Sequence, residues 1–165
     1  MRLPIHVKGK VLLNRNPDIE MTTESLRENL ADNLLQEEAK SAETIHDEIC
    51  FKVGWFRPFF GWKILVPITT GQISILAEGD KLRLNYKLTF EHLIIIATVM
   101  TALLSVPILL TNPSFADRSF QLISIVFIWT WLVFGNVAIT AFHFPRFIRK
   151  CAAEVERQYY IKTKK

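Results

Sequence analysis

Three residues with side chains capable of chemistry stand at the ends of the apolar part of the chain. Glu91 and His92 come at the start of the first long uncharged run, and His143 lies near the end of the second. Imidazole and carboxylate groups bind metals, ligate haem and relay protons. A small membrane-bound enzyme or cofactor carrier built on these residues is therefore one hypothesis. Because polar groups cost little at a membrane surface, we expect interfacial anchoring instead, with no metal and no cofactor.

The other reactive residues match no catalytic or metal-binding motif. His6 and His46 fall on polar faces of predicted strands, and the HExxH, HxH and CxxC spacings typical of zinc sites are absent. The sequence contains neither a Walker loop nor a GxGxxG motif. Cys50 and Cys151 are expected to be reduced thiols, although the juxtamembrane position of Cys151 also allows palmitoylation. No catalytic residue is predicted, and the sequence favours a protein that is not an enzyme.

An aromatic segment interrupts the polar part of the chain at residues 55–62. Its proline and glycine argue against a helix or a central strand. Tryptophan rings favour the headgroup level of a membrane, so we expect this segment to rest on lipid. Packing in a domain core and contact with a partner protein are the alternatives. The predicted interface residues are Trp55, Phe56, Phe59, Phe60 and Trp62.

Charge is distributed very unevenly along the 165 residues. Residues 92–145 hold two charges, Asp117 and Arg118, whereas the other 111 residues hold 34. This division excludes a single soluble domain and a disordered chain. Two apolar spans, at about 91–111 and 119–144, each reach the length of about 20 residues that crosses a bilayer. The Asn112-Pro113 turn between them predicts an antiparallel transmembrane hairpin over 91–145.

The basic residues indicate how the hairpin is oriented. Ten lie on the side of the chain ends, within about 20 residues of the spans, and the connecting loop has only Arg118. We therefore expect a two-pass membrane protein with both termini in the cytoplasm. The tail, residues 146–165, has a net charge of +5 and predicts a basic amphipathic helix on anionic headgroups. Arg146, Arg149 and Lys150 would contact those headgroups, and a nucleic-acid partner is not needed to explain the basicity.

Residues 1–90 predict a small cytoplasmic α+β domain. Four segments alternate between apolar and polar residues, as strands with one buried face do: 5–13, 45–53, 73–77 and 82–90. Leu26, Leu30 and Leu34 repeat every four residues and predict one amphipathic helix. We expect a mostly antiparallel sheet covered by this helix. The last strand runs into the first span, so the sheet should lie close to the membrane.

Small and polar residues within the spans indicate helix packing. The residues concerned are Ala97, Thr101 and Ser105 in the first span and Gly135 and Asn136 in the second, and Asn136 is expected to bond to a neighbouring helix. The leading hypothesis is a non-enzymatic accessory, scaffold or interaction subunit that presents its domain at the bilayer to a protein partner or a second copy. An oligomeric pore or transporter subunit is the third hypothesis, although no charge lies deep in either span.

Overall fold

The structure is a computed structural model, and it describes residues 5–14, 23–37, 39–54, 65–79, 81–110 and 115–163. The protein is α+β, with a five-stranded antiparallel sheet followed by long apolar helices. In chain order the elements are β1 (His6–Asn14), α1 (Thr23–Gln36), β2 (Ala39–Ile45), β3 (Glu48–Val53), β4 (Thr70–Glu78), β5 (Lys81–Thr89), α2 (Glu91–Leu110), α3 (Phe115–Thr130), a π-helical turn (Trp131–Gly135) and α4 (Asn136–Thr163).

The sheet has the order β1-β5-β4-β3-β2, and every neighbouring pair is antiparallel. Alternation in β5 places Leu82, Leu84, Tyr86 and Leu88 on the buried face, as the sequence predicts. The turn before β5 contains Gly79 with a φ of 57°, a left-handed conformation that glycine adopts without steric cost.

The apolar alternation over 45–53 predicts one strand, whereas the structure has a β-hairpin there. His46 and Asp47 form its two-residue turn with φ values of 46° and 67°. Two positive φ values match the right-handed twist of the flanking strands. The hairpin adds β2, whose alternation was too weakly apolar to predict a strand. Arg27 of α1 donates to Asp47 at 2.8 Å and ties the turn to the helix.

Two helices, not one, cover the apolar face of the sheet. Leu26, Leu30 and Leu34 of α1 are fully buried there, as their spacing predicts. The second cover is the C-terminal part of α4, which joins the same core. Its buried residues are Phe144, Phe147, Ile148, Cys151, Ala152 and Val155. The apolar stripe of the tail therefore packs on the sheet and not on lipid headgroups, because the apolar face of five strands is too wide for a single helix.

One helix is long and apolar enough to cross a membrane. It runs from Ser119 to Gln158 through α3, the π turn and α4, and only 6% of its most apolar 18-residue window is buried. The core helix of a soluble protein would be mostly covered. α2 is also apolar, but its apolar stretch Glu91–Val106 is shorter than the candidate span. Length and composition thus mark one candidate span among the described residues.

Candidate functional site

The apolar helices are fixed to the sheet by an aromatic cluster. Phe144 of α4 lies with its ring centroid 5.1 Å from that of Tyr86 in β5 and 6.2 Å from that of Phe51 in β3. Contacts of this geometry add about 0.5–1.5 kcal/mol each to the burial of the rings. Phe144 is completely buried, so this cluster is the centre of the joint between helix and sheet.

Two glycines leave room for this aromatic cluster. Gly9 pairs with Tyr86 and Gly71 pairs with Phe51 in the neighbouring strands. A β-carbon at Gly9 would collide with the Tyr86 ring, and one at Gly71 would collide with the Phe51 ring. The outer end of each ring therefore lies over a glycine of the neighbouring strand, an arrangement known to protect glycine in sheets. Burial also raises the pKa of Tyr86.

A buried threonine connects the sheet to the start of α2. Only Phe90 separates β5 from this helix. The Thr69 hydroxyl accepts the backbone N–H of His92 at 2.9 Å and so satisfies one of the free donors in the first helical turn. The backbone N–H of Thr69 donates to Thr89 at 2.7 Å, and its carbonyl accepts from Val53 at 3.0 Å. Both apolar helices are thus attached firmly to the domain.

A groove of about 310 Å³, here called the junction groove, lies where the sheet meets the apolar helices. Its walls are Gly54, Val66 and Pro67 from the domain, five apolar residues of α2, and Leu132 of the π turn. Its polar lining residues among those the structure describes are His92 and Asn136. The α2 residues that line it are Leu93, Ile96, Ala97, Met100 and Leu104.

The π turn beside the groove is stabilised by Asn136. In an α-helix the N–H of residue 136 would donate to the carbonyl of Leu132. Here that N–H donates to Val133, and the Asn136 side-chain Nδ2 donates to the Leu132 carbonyl at 2.6 Å. The side chain therefore replaces the lost backbone bond. This bond lies within its own helix, whereas the sequence predicted a bond to a neighbouring helix. Single π turns inside α-helices occur frequently at functional sites.

Asn136 and His92 lie at the same level of the helix pair. The indole Nε1 of Trp129 donates to the Thr98 hydroxyl at 3.1 Å, which aligns α3 with α2. From this contact, Asn136 is seven residues towards the sheet on one helix and His92 is six residues towards it on the other. At 1.5 Å per residue the two rises are about 10 Å and about 9 Å. Asn136 is therefore near the sheet and not at the middle of the apolar region.

The sheet face opposite the helices, here called the outer face, is polar. Its central row, read across the paired strands, is Lys8, Lys87, Gln72, Cys50 and Glu43. Lys8 and Lys87 stand directly opposite each other, and like charges in this position repel. Within the described part of the chain neither lysine has an ion-pair partner.

Two hollows, of about 400 and 410 Å³, lie on the outer face, and Lys87 and Gln72 line both. Lys8 and Lys10 line the second hollow, on the β1–β5 half. Glu43 lines the first hollow on the β2–β3 half, and Glu48 lines the second. The β1–β5 half of the outer face thus has three lysines, whereas the β2–β3 half has Glu43 and Glu48 together with Lys52.

The residues considered for metal binding do not form a cluster. His92 lines the junction groove, whereas His143 is exposed on α4 and packs edge-on against Phe142. Among the residues that the structure describes, no group of three or more His, Cys, Asp or Glu side chains is placed to hold a metal ion. His6, on the outer face, bonds to the Thr89 hydroxyl at 3.1 Å.

The predicted packing residues divide into two groups. Ala97 and Thr101 are buried, whereas Ser105 is half-buried and donates to the Ala102 carbonyl of its own helix at 2.8 Å. Gly135 belongs to the π turn, and a β-carbon there would make only an ordinary contact with Trp131 at 3.9 Å. Close helix approach therefore does not require glycine at this position.

The predicted interface residues fall into two groups, of which the structure describes one. Arg146, Arg149 and Lys150 are exposed on α4, and the guanidinium of Arg146 lies 3.8 Å from the centre of the exposed Phe142 ring. The five residues of the aromatic segment (Trp55, Phe56, Phe59, Phe60 and Trp62) lie outside the described residues. Sequence reasoning predicted a solvent-exposed polar face of the sheet. It missed the junction groove and the opposition of Lys8 and Lys87, because these depend on helix alignment and strand register.

Comparisons of the chain with protein-family models, with curated proteins and with solved structures find no match.

Proposed function

We propose that the chain is a non-enzymatic integral membrane protein that presents the outer face of its sheet to a partner protein at the bilayer surface. In this proposal α2 is one span, and α3 with the π turn and the start of α4 is the other. Both chain ends lie in the cytoplasm, on the side of the sheet.

The observation that carries the proposal is the exposed apolar surface of the helices. Phe120 is 73% exposed, Trp131 69%, Ile123 67% and Leu103 63%. Soluble monomers rarely expose a continuous apolar patch of more than a few hundred Å². A bilayer covers such a surface, and in this proposal α2, whose helix has 20 residues, crosses it beside the longer apolar helix. The contact between Trp129 and Thr98 supports two spans packed side by side.

The orientation follows from the charges near the joint. Arg146 lies above Phe142 at the point where α4 leaves its exposed apolar stretch. Arg149 and Lys150 follow within about one turn. Basic residues at the end of a span favour the cytoplasmic side of a membrane. The sheet, which packs against this part of α4, would lie on the same side.

The partner is inferred from the outer face. Lys8, Lys10 and Lys87 place three positive charges on the β1–β5 half without a partner among the described residues. Complementary charge steers association and selects the partner. We therefore propose a protein that places an acidic segment on this half of the face. Attachment of the sheet to both helices would hold the face at a fixed angle to the membrane.

A topology experiment tests the membrane part of this proposal. The full chain, carrying Cys50→Ala and Cys151→Ala, is inserted into sealed microsomes, whose outer side corresponds to the cytoplasm, with one cysteine added at each end and Ser119→Cys in the second span. An impermeant maleimide should modify both ends in intact vesicles, and it should modify the thiol introduced at position 119 only after permeabilisation. Extraction of the chain by alkaline carbonate, or modification of only one end, would reject a two-span anchor.

A further inference from the structure

We infer that the junction groove binds an acyl chain of a phospholipid in the leaflet nearest the sheet. This inference rests on the proposed membrane insertion and goes beyond it, because it assigns a ligand to a defined cleft. An anchored protein contacts lipid everywhere on its spans, but only a built cleft holds one chain in preference to the others.

The polarity of the groove changes along its length as an amphiphile requires. His92 and Asn136 lie at the end nearest the sheet, and Met100 and Leu104 lie at the far end. From His92 to Leu104 the helix rises through twelve residues, which is about 18 Å. One leaflet contributes half of a hydrocarbon core of about 30 Å. The groove is therefore as deep as one leaflet, with its polar end at the headgroup level.

The groove opens sideways onto the surface that would meet lipid. Met100 and Leu104 are 43% and 50% exposed although they line the groove, so they form an open rim. Val99 and Leu103, their neighbours on α2, are 52% and 63% exposed and lie outside it. An acyl chain can therefore enter laterally from the bilayer without any movement of the sheet. Gly54, Val66 and Pro67 of the domain line the end of the groove nearest the sheet.

The π turn contributes one wall residue to the groove, and the residue after the turn is polar and lies at the end nearest the sheet. Leu132 lies within this turn, and Asn136 follows it. The Asn136 amide uses one N–H for the Leu132 carbonyl, and its second N–H can donate to an ester or phosphate oxygen of a phospholipid. The side chain is half-buried, so it can face both the helix and a bound headgroup.

The test uses the full chain in phosphatidylcholine vesicles that contain a trace of phosphatidylcholine with a diazirine on its acyl chain. Peptide mapping after illumination should show labelling at Met100 and Leu104 at least about tenfold above Val99 and Leu103, a preference equivalent to about 1.4 kcal/mol. Equal labelling of the four positions would show ordinary lipid contact and would overturn the inference. Absence of label at all four positions would instead reject membrane insertion.

A matched pair of variants checks the same inference by a second route. Leu104→Trp fills the groove from its rim, and Leu103→Trp places the same ring outside it. The first should reduce labelling of Met100 by about tenfold, whereas the second should leave it unchanged. Native mass spectrometry from mild detergent should show one retained phospholipid on the wild type and on Leu103→Trp only. Retention of the phospholipid by a folded Leu104→Trp protein, or cross-linking of Met100 to a second protein chain, would overturn the inference.

Discussion

Phe144 of the long apolar helix packs its ring 5.1 Å from the ring of Tyr86, at the centre of the sheet. The helix that forms the candidate span is thus part of the hydrophobic core of the domain. Folding of the sheet and placement of the span are therefore coupled, and disruption of this contact should affect both.

Replacement of Phe144 with alanine should weaken the joint strongly. The buried ring contacts Tyr86 and Phe51, and its removal leaves a cavity, which costs about 3–5 kcal/mol. Thermal unfolding in detergent measures the loss of stability. Limited proteolysis is a second measurement, which shows whether the sheet becomes accessible. Phe142→Ala is the matched control, since that ring is 60% exposed and its loss should cost about 0.5 kcal/mol or less. Equal effects of both variants would contradict a core role for Phe144.

Replacement of Gly71 with alanine should also destabilise the protein, by about 1–3 kcal/mol. The added methyl would collide with the Phe51 ring and force it out of the aromatic cluster. Gly54→Ala is the control, because a β-carbon there meets no atom of the described residues within 4 Å. Chemical denaturation followed by near-ultraviolet circular dichroism reports the packing of these rings. A Gly71→Ala variant as stable as the wild type would contradict this prediction, because it would show that the strand can shift without loss of stability.

Substitution of Asn136 by leucine should destabilise the π turn. The variant removes the donor that satisfies the Leu132 carbonyl, and an unpaired buried carbonyl costs about 1–3 kcal/mol. Thermal unfolding in detergent measures the change. Ser124→Ala is the control on the same helix, because Ser124 is not fully buried and donates to a carbonyl within a regular α-helical segment. A destabilisation of Ser124→Ala as large as that of Asn136→Leu would contradict a special role for the amide.

The two cysteines should differ in reactivity. Cys151 is buried, and burial raises the pKa of its thiol to about 12, so little thiolate forms near pH 8. Cys50 is half-buried on the outer face. Maleimide labelling of the folded protein at pH 8 should modify Cys50 first, and Cys151 should react only after unfolding. Rapid modification of Cys151 in the folded state would contradict its burial. The same burial opposes palmitoylation of this residue, which its position in the sequence had allowed.

Reversal of charge on the outer face should abolish partner binding. In Lys8→Glu/Lys87→Glu the basic half of the face becomes acidic and would repel an acidic segment. A protein that co-purifies stoichiometrically with the wild type in mild detergent should be lost from this variant. The control is Lys81→Glu, on β5 but at the end of the strand beyond the hollows. Loss of the partner from both variants would indicate a general charge effect and contradict a defined surface.

Periodicity predicted four of the five strands but not which strands pair. The alternation of β5 and the leucine repeat of α1 correctly gave the buried faces. β2 was missed because it has few apolar residues and its alternation is weak, so Asp47 was interpreted as a break within one strand and not as part of a hairpin turn. The role of Phe144 was missed for another reason: an apolar stripe beside basic residues has the same sequence pattern whether it packs on a sheet or on lipid. Only the tertiary contact distinguishes the two.

The candidate sites also combine features that the sequence predicts with features that only the structure shows. The polar character of the outer face follows from alternation alone, yet the opposition of Lys8 and Lys87 depends on the register of β1 with β5. The junction groove depends on the alignment of α2 with α3 and on a π turn, and a single sequence carries no pattern for either. Asn136 was identified as important, but its level relative to His92 required the contact between Trp129 and Thr98.

The uninterrupted helix from Ser119 to Gln158 has a mechanical consequence. Its 40 residues extend about 60 Å through the π turn, from the exposed apolar side chains at one end to the segment beginning at Phe144 that packs on the sheet. With the apolar end in a bilayer, as proposed, a change in its tilt or axial rotation would turn the attached sheet. Bilayer thickness, to which helix tilt adjusts, would thereby become a variable that the sheet transmits to whatever binds it.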